Sequence, residues 1–202
     1  NKKHVLKNTA ELLRKTSENI QILEKQRELF DNYLTHLNKL EIRGYISLNQ
    51  AIKIIQKGKV IQKIYEDIKK NLIELGTEGM LIKTRIKEIL TDVEKETNLT
   101  IKDYANMNYR KSIMILDFLS YEDLLDKEKI LGALDYEGKF VSPYLKGWRI
   151  FSKTSLTEPE IAMLIKEMER FDKITSSELK DYIGEEKSNL IKAELEKIKL
   201  EY

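Results

Sequence analysis

The feature that most constrains this chain is an apolar heptad repeat in its first forty residues. Two rows of apolar residues recur at intervals of seven: Leu6, Leu13, Ile20 and Leu34, interrupted by Arg27, and Leu23, Phe30 and Leu37. A seven-residue period places both rows along one side of an α-helix. The repeat predicts a long first helix, from about residue 3 to residue 43, that packs inside a bundle. A surface for self-association, and with it a homo-oligomer, is the alternative interpretation of this seam.

Composition extends the helical prediction to the whole chain. The 202 residues include two prolines and eight glycines, while Leu, Ile, Lys and Glu dominate. These straight-chain residues lose little rotamer freedom in a helix. Further helices are predicted for residues 48–72, 81–93, 112–119 and 121–131, with a turn at 74–79 and a connection at 98–108. Gly44 fits the left-handed position that ends the first helix, a capping box of Ser47 and Gln50 begins the second, and Ser120 caps the helix that runs to residue 131. The fold class is therefore all-α, with a helical linker bundle over residues 1–138 and a compact domain over residues 139–202.

Three helices are predicted in the C-terminal domain, at residues 159–170, 177–182 and 185–199, and a capping box of Thr157 and Glu160 begins the first of them. The last two are joined only by Tyr182-Ile183-Gly184. A very tight turn with glycine is the plan of a helix-hairpin-helix, in which unpaired N–H groups and the positive helix dipole can hold a phosphate. Such contacts grip a nucleic-acid backbone without reading its sequence. The alternative is an ordinary pair of packed helices.

A compact basic segment precedes these helices. Residues 139–153 contain four basic residues and no acid, whereas residues 154–202 contain eight basic and twelve acidic residues. Lys146, Arg149 and Lys153 are candidates for phosphate contacts, with Tyr144 or Trp148 stacking on a base. Alternatively, Trp148 anchors the core of the small domain and the lysines are solvated.

Other classes of function find little support. With no cysteine, the chain has no disulfide, thiolate nucleophile or Cys-ligated zinc. His4 and His36 lie far apart, without partners at metal-ligand spacing, so no metal site is predicted. No complete catalytic constellation is visible, no apolar run could cross a membrane and no secretory leader is visible. We expect a cytoplasmic binding protein that does not contact a membrane.

Four segments, in order, resemble the DisA family of bacterial DNA-integrity scanning proteins. The residues that carry the resemblance are Val5-Leu6 through Lys25, the Glu-Leu-Gly-Thr segment of residues 73–81, Val141-Ser142-Pro143 through Lys153, and the hairpin of residues 182–191. The resemblance implies a parent protein with a diadenylate cyclase domain, a helical linker and a helix-hairpin-helix DNA-binding domain. That cyclase would make cyclic di-AMP from ATP with a divalent metal, and branched DNA would inhibit it.

The family's cyclase motifs, Asp-Gly-Ala and Arg-His-Arg, do not occur in this sequence. The resemblance therefore implies a non-enzymatic C-terminal fragment, or a natural protein that lost its enzyme, with no cofactor of its own. Its expected partners are branched or junction DNA, bound without sequence preference, and the cyclase domain. A structural spacer that no longer binds DNA is the competing function.

The resemblance also assigns the site. It implies phosphate contacts from the backbone amides of Ile183, Gly184 and Glu185, with positive charge supplied by lysines and one arginine: Lys180, Lys187, Lys192, Lys146, Arg149 and Lys153. Two hairpin residues depart from the family pattern, since Tyr182 replaces a glycine and Lys187 an arginine. Tyr182 is expected to strain the turn if its φ is positive.

Overall fold

The computed structural model of the chain describes residues 2–139 and 144–202, with side chains from residue 8 onward. These residues form twelve α-helices and no strand, which confirms the all-α prediction. In chain order the helices are α1 Lys2–Glu41, α2 Leu48–Leu72, α3 Gly76–Leu90, α4 Val93–Tyr104, α5 Tyr109–Asp117, α6 Tyr121–Leu125, α7 Lys127–Ala133, α8 Trp148–Phe151, α9 Glu158–Met168, α10 Phe171–Ser176, α11 Lys180–Ile183 and α12 Glu185–Glu201. None of the helices in these two ranges is both long and apolar enough to cross a bilayer.

Helix α1 follows the heptad prediction. Leu23, Phe30 and Leu37 are fully buried where α1 packs along α2, so this part of the seam lies inside the bundle. The helix ends at Glu41, and Gly44 has the predicted left-handed conformation in the turn that follows: with φ +84° it donates its N–H to Glu41, while the Tyr45 N–H donates to Leu40. This pattern pairs the last helical carbonyls and reverses the chain toward α2.

Helix α2 is the centre of the linker region because it buries two faces. Ile54, Ile61 and Ile68 pack with α1 and α3, whereas Ile52 and Ile55 pack with the short helices α5 to α7. One half of the predicted Ser47–Gln50 capping box is present, since the Ser47 hydroxyl accepts the Gln50 N–H at 3.3 Å, whereas the Ser47 N–H donates to the Tyr104 hydroxyl at 3.4 Å.

Helix α4 corrects the sequence prediction. Residues 98–108 were expected to form an irregular connection, but the structure is helical through Tyr104. The preceding helix ends earlier than predicted, at Leu90, and Asp92 turns the chain with φ +64°. Aspartate tolerates this left-handed conformation better than most residues. The new helix then buries Leu99 and Ile101.

The close approach of α2 and α4 depends on Gly58. A Cβ on this residue would lie 2.0 Å from the Thr97 hydroxyl oxygen. From sequence alone Gly58 would be a weak point within α2, but the structure shows that its missing side chain makes room for α4. The turn predicted at 74–79 is also corrected, because α3 already begins at Gly76 and Gly79 is buried within that helix.

The C-terminal helices surround a core of their own, which includes Trp148, Phe151, Leu164 and Ile191. The predicted Thr157–Glu160 capping box begins α9. Helix α10 was not predicted, and α11 is shorter than the predicted helix at 177–182. Ile42 and Leu99 of the linker region also belong to this core. The boundary after residue 138 therefore stays a prediction, and the Val141-Ser142-Pro143 motif lies outside the described residues.

Candidate nucleic-acid interface

The hairpin at the C-terminus consists of α11, Gly184 and α12. Gly184 has φ +86° and ψ 157°, a conformation that favours glycine. The Ile183 and Gly184 N–H groups each donate at 3.0 Å to carbonyls of Leu179 and Lys180. Their predicted role as phosphate donors is therefore corrected: both amides are already used in the last turn of α11.

The open donors begin one residue later. The first turn of α12 contains the N–H groups of Glu185, Glu186 and Lys187, and no side chain among the described residues caps this helix start. The Ser188 N–H is the first to find a helical partner, the Gly184 carbonyl at 3.0 Å. A Cβ built on Gly184 would meet nothing within 4 Å. Of the three predicted backbone donors, the Glu185 amide alone remains available to an anion.

Tyr182 does not strain the turn. It belongs to α11, and among the described non-glycine residues only Asp92, Asp135 and Glu169 have positive φ. The expectation that Tyr182 would be forced into a left-handed conformation is wrong, because the chain reversal falls on Gly184 instead. Tyr182 is 43% exposed and lies within the hairpin, on α11.

The predicted lysines are unevenly placed around this turn. Lys187 lies in the first turn of α12, where its Nζ is 2.5 Å from Glu160 Oε1. Lys180 is exposed on α11, with Nζ 3.8 Å from Glu178. Lys192 lies about two turns from the start of α12 and lines a groove with Phe171. The acidic side chains of Glu185 and Glu186 lie in the first turn of α12, where the positive end of the helix dipole stabilises them. They therefore compete with any bound anion.

The basic segment occupies a different part of the molecule, against the linker. Lys146 donates from Nζ to the Ala105 carbonyl at 2.8 Å, and burial lowers its pKa. Lys153 is exposed, with its Nζ 5.1 Å from the centre of the Tyr202 ring. Trp148 is only 6% exposed within the C-terminal core, which confirms its interpretation as a core anchor.

Arg149 is the most buried of the predicted cations, with a side chain that is 1% exposed. Its Nε lies 3.2 Å from both carboxylate oxygens of Glu41, and Nη1 donates to the Thr100 hydroxyl at 3.0 Å. Nη2 donates to the Asn38 side chain. A phosphate cannot reach this guanidinium in the described conformation. The assignment of Arg149 to DNA is therefore replaced by a structural one.

Asp103 completes this network. Its two carboxylate oxygens accept the N–H groups of Gly147, Trp148 and Arg149 at 3.1, 2.7 and 3.0 Å. The carboxylate thus accepts hydrogen bonds from three N–H groups at the start of α8 and caps that helix. We call Glu41, Asp103 and Arg149 the buried joint, because they connect α1 and α4 to the C-terminal helices.

The charges of the buried joint are unbalanced, with two carboxylates for one guanidinium. Burial raises the pKa of Glu41 to about 7, against the opposing attraction of Arg149. Burial also raises the pKa of Asp103, although its amide donors and Arg149 oppose the shift. Both carboxyls therefore hold their protons more firmly than exposed acids do.

Sequence reasoning missed Glu41 and Asp103 altogether. Glu41 ends a helix rich in charged residues, and Asp103 falls in a segment predicted to be irregular. The only local signal was the four-residue cluster of positive charge without an acid, which left Arg149 in need of a partner from elsewhere in the chain. In the described ranges, no group of three or more acidic or histidine side chains is arranged to hold a metal ion.

The fold and this site define a class of protein region: an all-α bundle that carries a short helix and a longer one joined by a glycine. The chain matches the family described as the DisA bacterial checkpoint controller linker region over residues 6–142. This match covers more than half of the sequence, so the chain belongs to that family.

Curated relatives extend the similarity toward the C-terminus. DNA integrity scanning protein DisA of Clostridium perfringens (strain SM101 / Type A) is 36% identical over 158 residues, which is 75% of this chain and 44% of that protein. The proteins of the same name from Clostridium acetobutylicum and Bacillus licheniformis are each 29% identical, over 98% and 90% of this chain and 58% and 52% of their own lengths. The chain spans about half the length of the curated relatives that it matches.

Proposed function

We propose that this chain is the DNA-backbone-binding region of a DisA-family protein, with α11, Gly184 and α12 acting as a helix-hairpin-helix. The observation that supports this most strongly is the open first turn of α12, where three amides lack described partners beside an exposed glycine. Hydrogen bonds from such amides to phosphate need no base contacts. Branched or junction DNA, bound without sequence preference, is the proposed ligand.

The proposed role also includes coupling to a diadenylate cyclase domain, outside this chain, that makes cyclic di-AMP. The buried joint supports this part of the proposal because it ties the C-terminal helices directly to the end of α1 through the Arg149–Glu41 pair. A movement of the hairpin on binding DNA would then be transmitted to α1 through this buried ion pair rather than through a flexible connection. We expect no cyclic dinucleotide when this chain alone is incubated with ATP and a divalent metal.

A matched pair of substitutions at Glu185 tests the backbone contact. Glu185→Pro removes the amide at the first helical position, where proline is well tolerated, while Glu185→Gln removes only the charge. We expect the proline variant to bind a four-way junction about tenfold more weakly than the glutamine variant, because one N–H donor to a charged oxygen is lost. Fluorescence anisotropy at about 50 mM and about 200 mM salt measures both affinities.

A spacer without DNA affinity is the second candidate. It is favoured by the acidic residues Glu185 and Glu186 at the proposed contact and by the pairing of Lys187 with Glu160. The same titration separates the two functions. Binding that weakens with salt and depends on the Glu185 amide supports the hairpin, whereas no binding at the lower salt concentration leaves the spacer.

A further inference from the structure

Glu160 holds an unusual number of donors for an acid at the surface. Its Oε1 accepts the Thr157 N–H at 3.0 Å and the Thr157 hydroxyl at 2.9 Å. The same oxygen accepts Lys187 Nζ at 2.5 Å. The hydrogen bond from Lys187 lowers the pKa of Glu160, so the carboxylate is ionised at neutral pH. Its position is fixed because it also belongs to the capping box of α9.

Lys187 is the third residue of α12, so it lies in the same helical turn as the open amides. Its side chain is 32% exposed, and Glu160 is 24% exposed. The lysine is therefore accessible to a large anion, although its ammonium group is already paired with the fixed carboxylate of Glu160. A phosphate that approaches the first turn of α12 must compete with Glu160 for this ammonium group.

We propose that Glu160 is an internal competitor of DNA, which holds Lys187 away from the backbone phosphate until bound DNA displaces it. This inference rests on the function proposed above and concerns the regulation of the same site. An exposed ion pair is weak enough to be displaced by a polyanion. When Lys187 leaves Glu160 for a phosphate, the DNA releases a counterion but the freed carboxylate attracts one, so the pair also flattens the salt dependence of binding.

The variant Glu160→Gln tests this directly, because glutamine serves the capping box as well as glutamate does. We expect it to bind a four-way junction up to about fivefold more tightly than the unchanged chain at low salt. We also expect a plot of log affinity against log salt that is steeper by about one unit, as one more lysine then displaces counterions. A purely structural role for Glu160 would leave this slope unchanged.

Two controls separate the pair from net charge and from folding. Glu167→Gln removes an equal charge from the exposed side of the same helix, and it should leave the slope unchanged. Glu160→Asp keeps the charge and a capping oxygen but is too short to hold Lys187, so it should share part of the gain. Adding Lys187→Gln to Glu160→Gln should abolish the gain.

The outcomes distinguish this inference from the proposed function. If the unchanged chain binds DNA and Glu160→Gln binds no more tightly than Glu167→Gln, the competitor role is wrong and DNA binding stands. A gain that persists in the double variant also overturns it, because Lys187 would not carry the effect. If no variant binds at low salt, both the inference and the DNA-binding function fail.

Discussion

The basic segment and the hairpin were both expected to contact phosphate, and the structure gives them opposite surroundings. Arg149 is 1% exposed and paired with Glu41, whereas the first turn of α12 is exposed and its amides lack described partners. The cluster of positive charge that was a candidate for phosphate contacts is thus partly internal. The comparison teaches that the role of a cation is set by whether the fold places an acid against it.

The buried joint also explains why Arg149 can lie in a basic segment that contains no acid. Its guanidinium pairs with Glu41 of α1, 108 positions earlier in the chain, and its backbone amide donates to Asp103 of α4, 46 positions earlier. A buried guanidinium needs such partners, because the desolvation of an unpaired charge costs several kcal/mol. The hairpin has no such requirement, since its charges remain in water.

The largest effect is expected from Arg149→Met, which leaves Glu41 and Asp103 without their buried cation. Breaking such a network typically costs about 3–5 kcal/mol. Urea unfolding at slightly alkaline pH would measure this loss. Lys153→Met, from the same segment, removes only a surface contact with the Tyr202 ring and should change the free energy of unfolding by less than about 1 kcal/mol. Equal losses in the two variants would remove the distinction between buried and solvated cations.

The buried joint should also make stability depend on pH. The pKa of Glu41 rises from 4.5 to about 7 on folding, so the folded chain binds more protons than the unfolded chain within this window. The free energy of unfolding therefore falls as the pH rises from about 5 to about 8, by about 2–3 kcal/mol for this group. Glu41→Gln has no charge to bury and should flatten this dependence. A slope that is the same in both proteins would contradict the shifted pKa.

A smaller effect is expected where α4, which carries Asp103, crosses α2. Gly58→Ala would place a methyl group 2.0 Å from the Thr97 hydroxyl oxygen, and overpacking of this kind costs about 1–3 kcal/mol. Gly132→Ala is the matched control in a helix, because its Cβ would meet only the end of the flexible Glu137 side chain, at 3.2 Å. Thermal unfolding should show destabilisation for Gly58→Ala alone. Improved stability in both variants would mean that helix propensity outweighs the crossing contact.

The smallest effect is expected at Tyr182, where the family pattern has glycine. Because Tyr182 is helical and Gly184 makes the reversal, Tyr182→Gly should not relieve strain. Relative to Tyr182→Ala, it should lower stability by at most about 1 kcal/mol, and the two variants should bind a DNA junction equally. A glycine variant that is more stable than the alanine variant would restore the strained-turn hypothesis.

Local signals predicted much of this architecture. The heptad rows of α1, the Gly44 terminus and the Thr157–Glu160 capping box each depend on residues within a few positions of one another. Such patterns determine where a helix begins, ends and turns its apolar face. They were sufficient for the fold class and for a chain reversal between two helices near Gly184.

The remaining features depend on contacts that are distant in sequence. Asp103 caps a helix only because α8 folds against it, and a residue without a side chain is required at position 58 only because Thr97 of α4 packs against Gly58. Similarly, the pairing of Arg149 with Glu41 spans 108 positions. Within the hairpin, the error was a shift of two residues, since the open amides start at Glu185 rather than at Ile183. Helix ends are hard to place from sequence to within one residue.

The most direct test of the contrast between the hairpin and the buried joint is a map of backbone amide NMR shifts during titration with a four-way DNA junction. We predict that the largest changes fall on Glu185, Glu186 and Lys187, and that the amides of Gly147, Trp148 and Arg149 change little, because Asp103 already holds them. Changes centred on Gly147 to Arg149, with the first turn of α12 unaffected, would contradict the account.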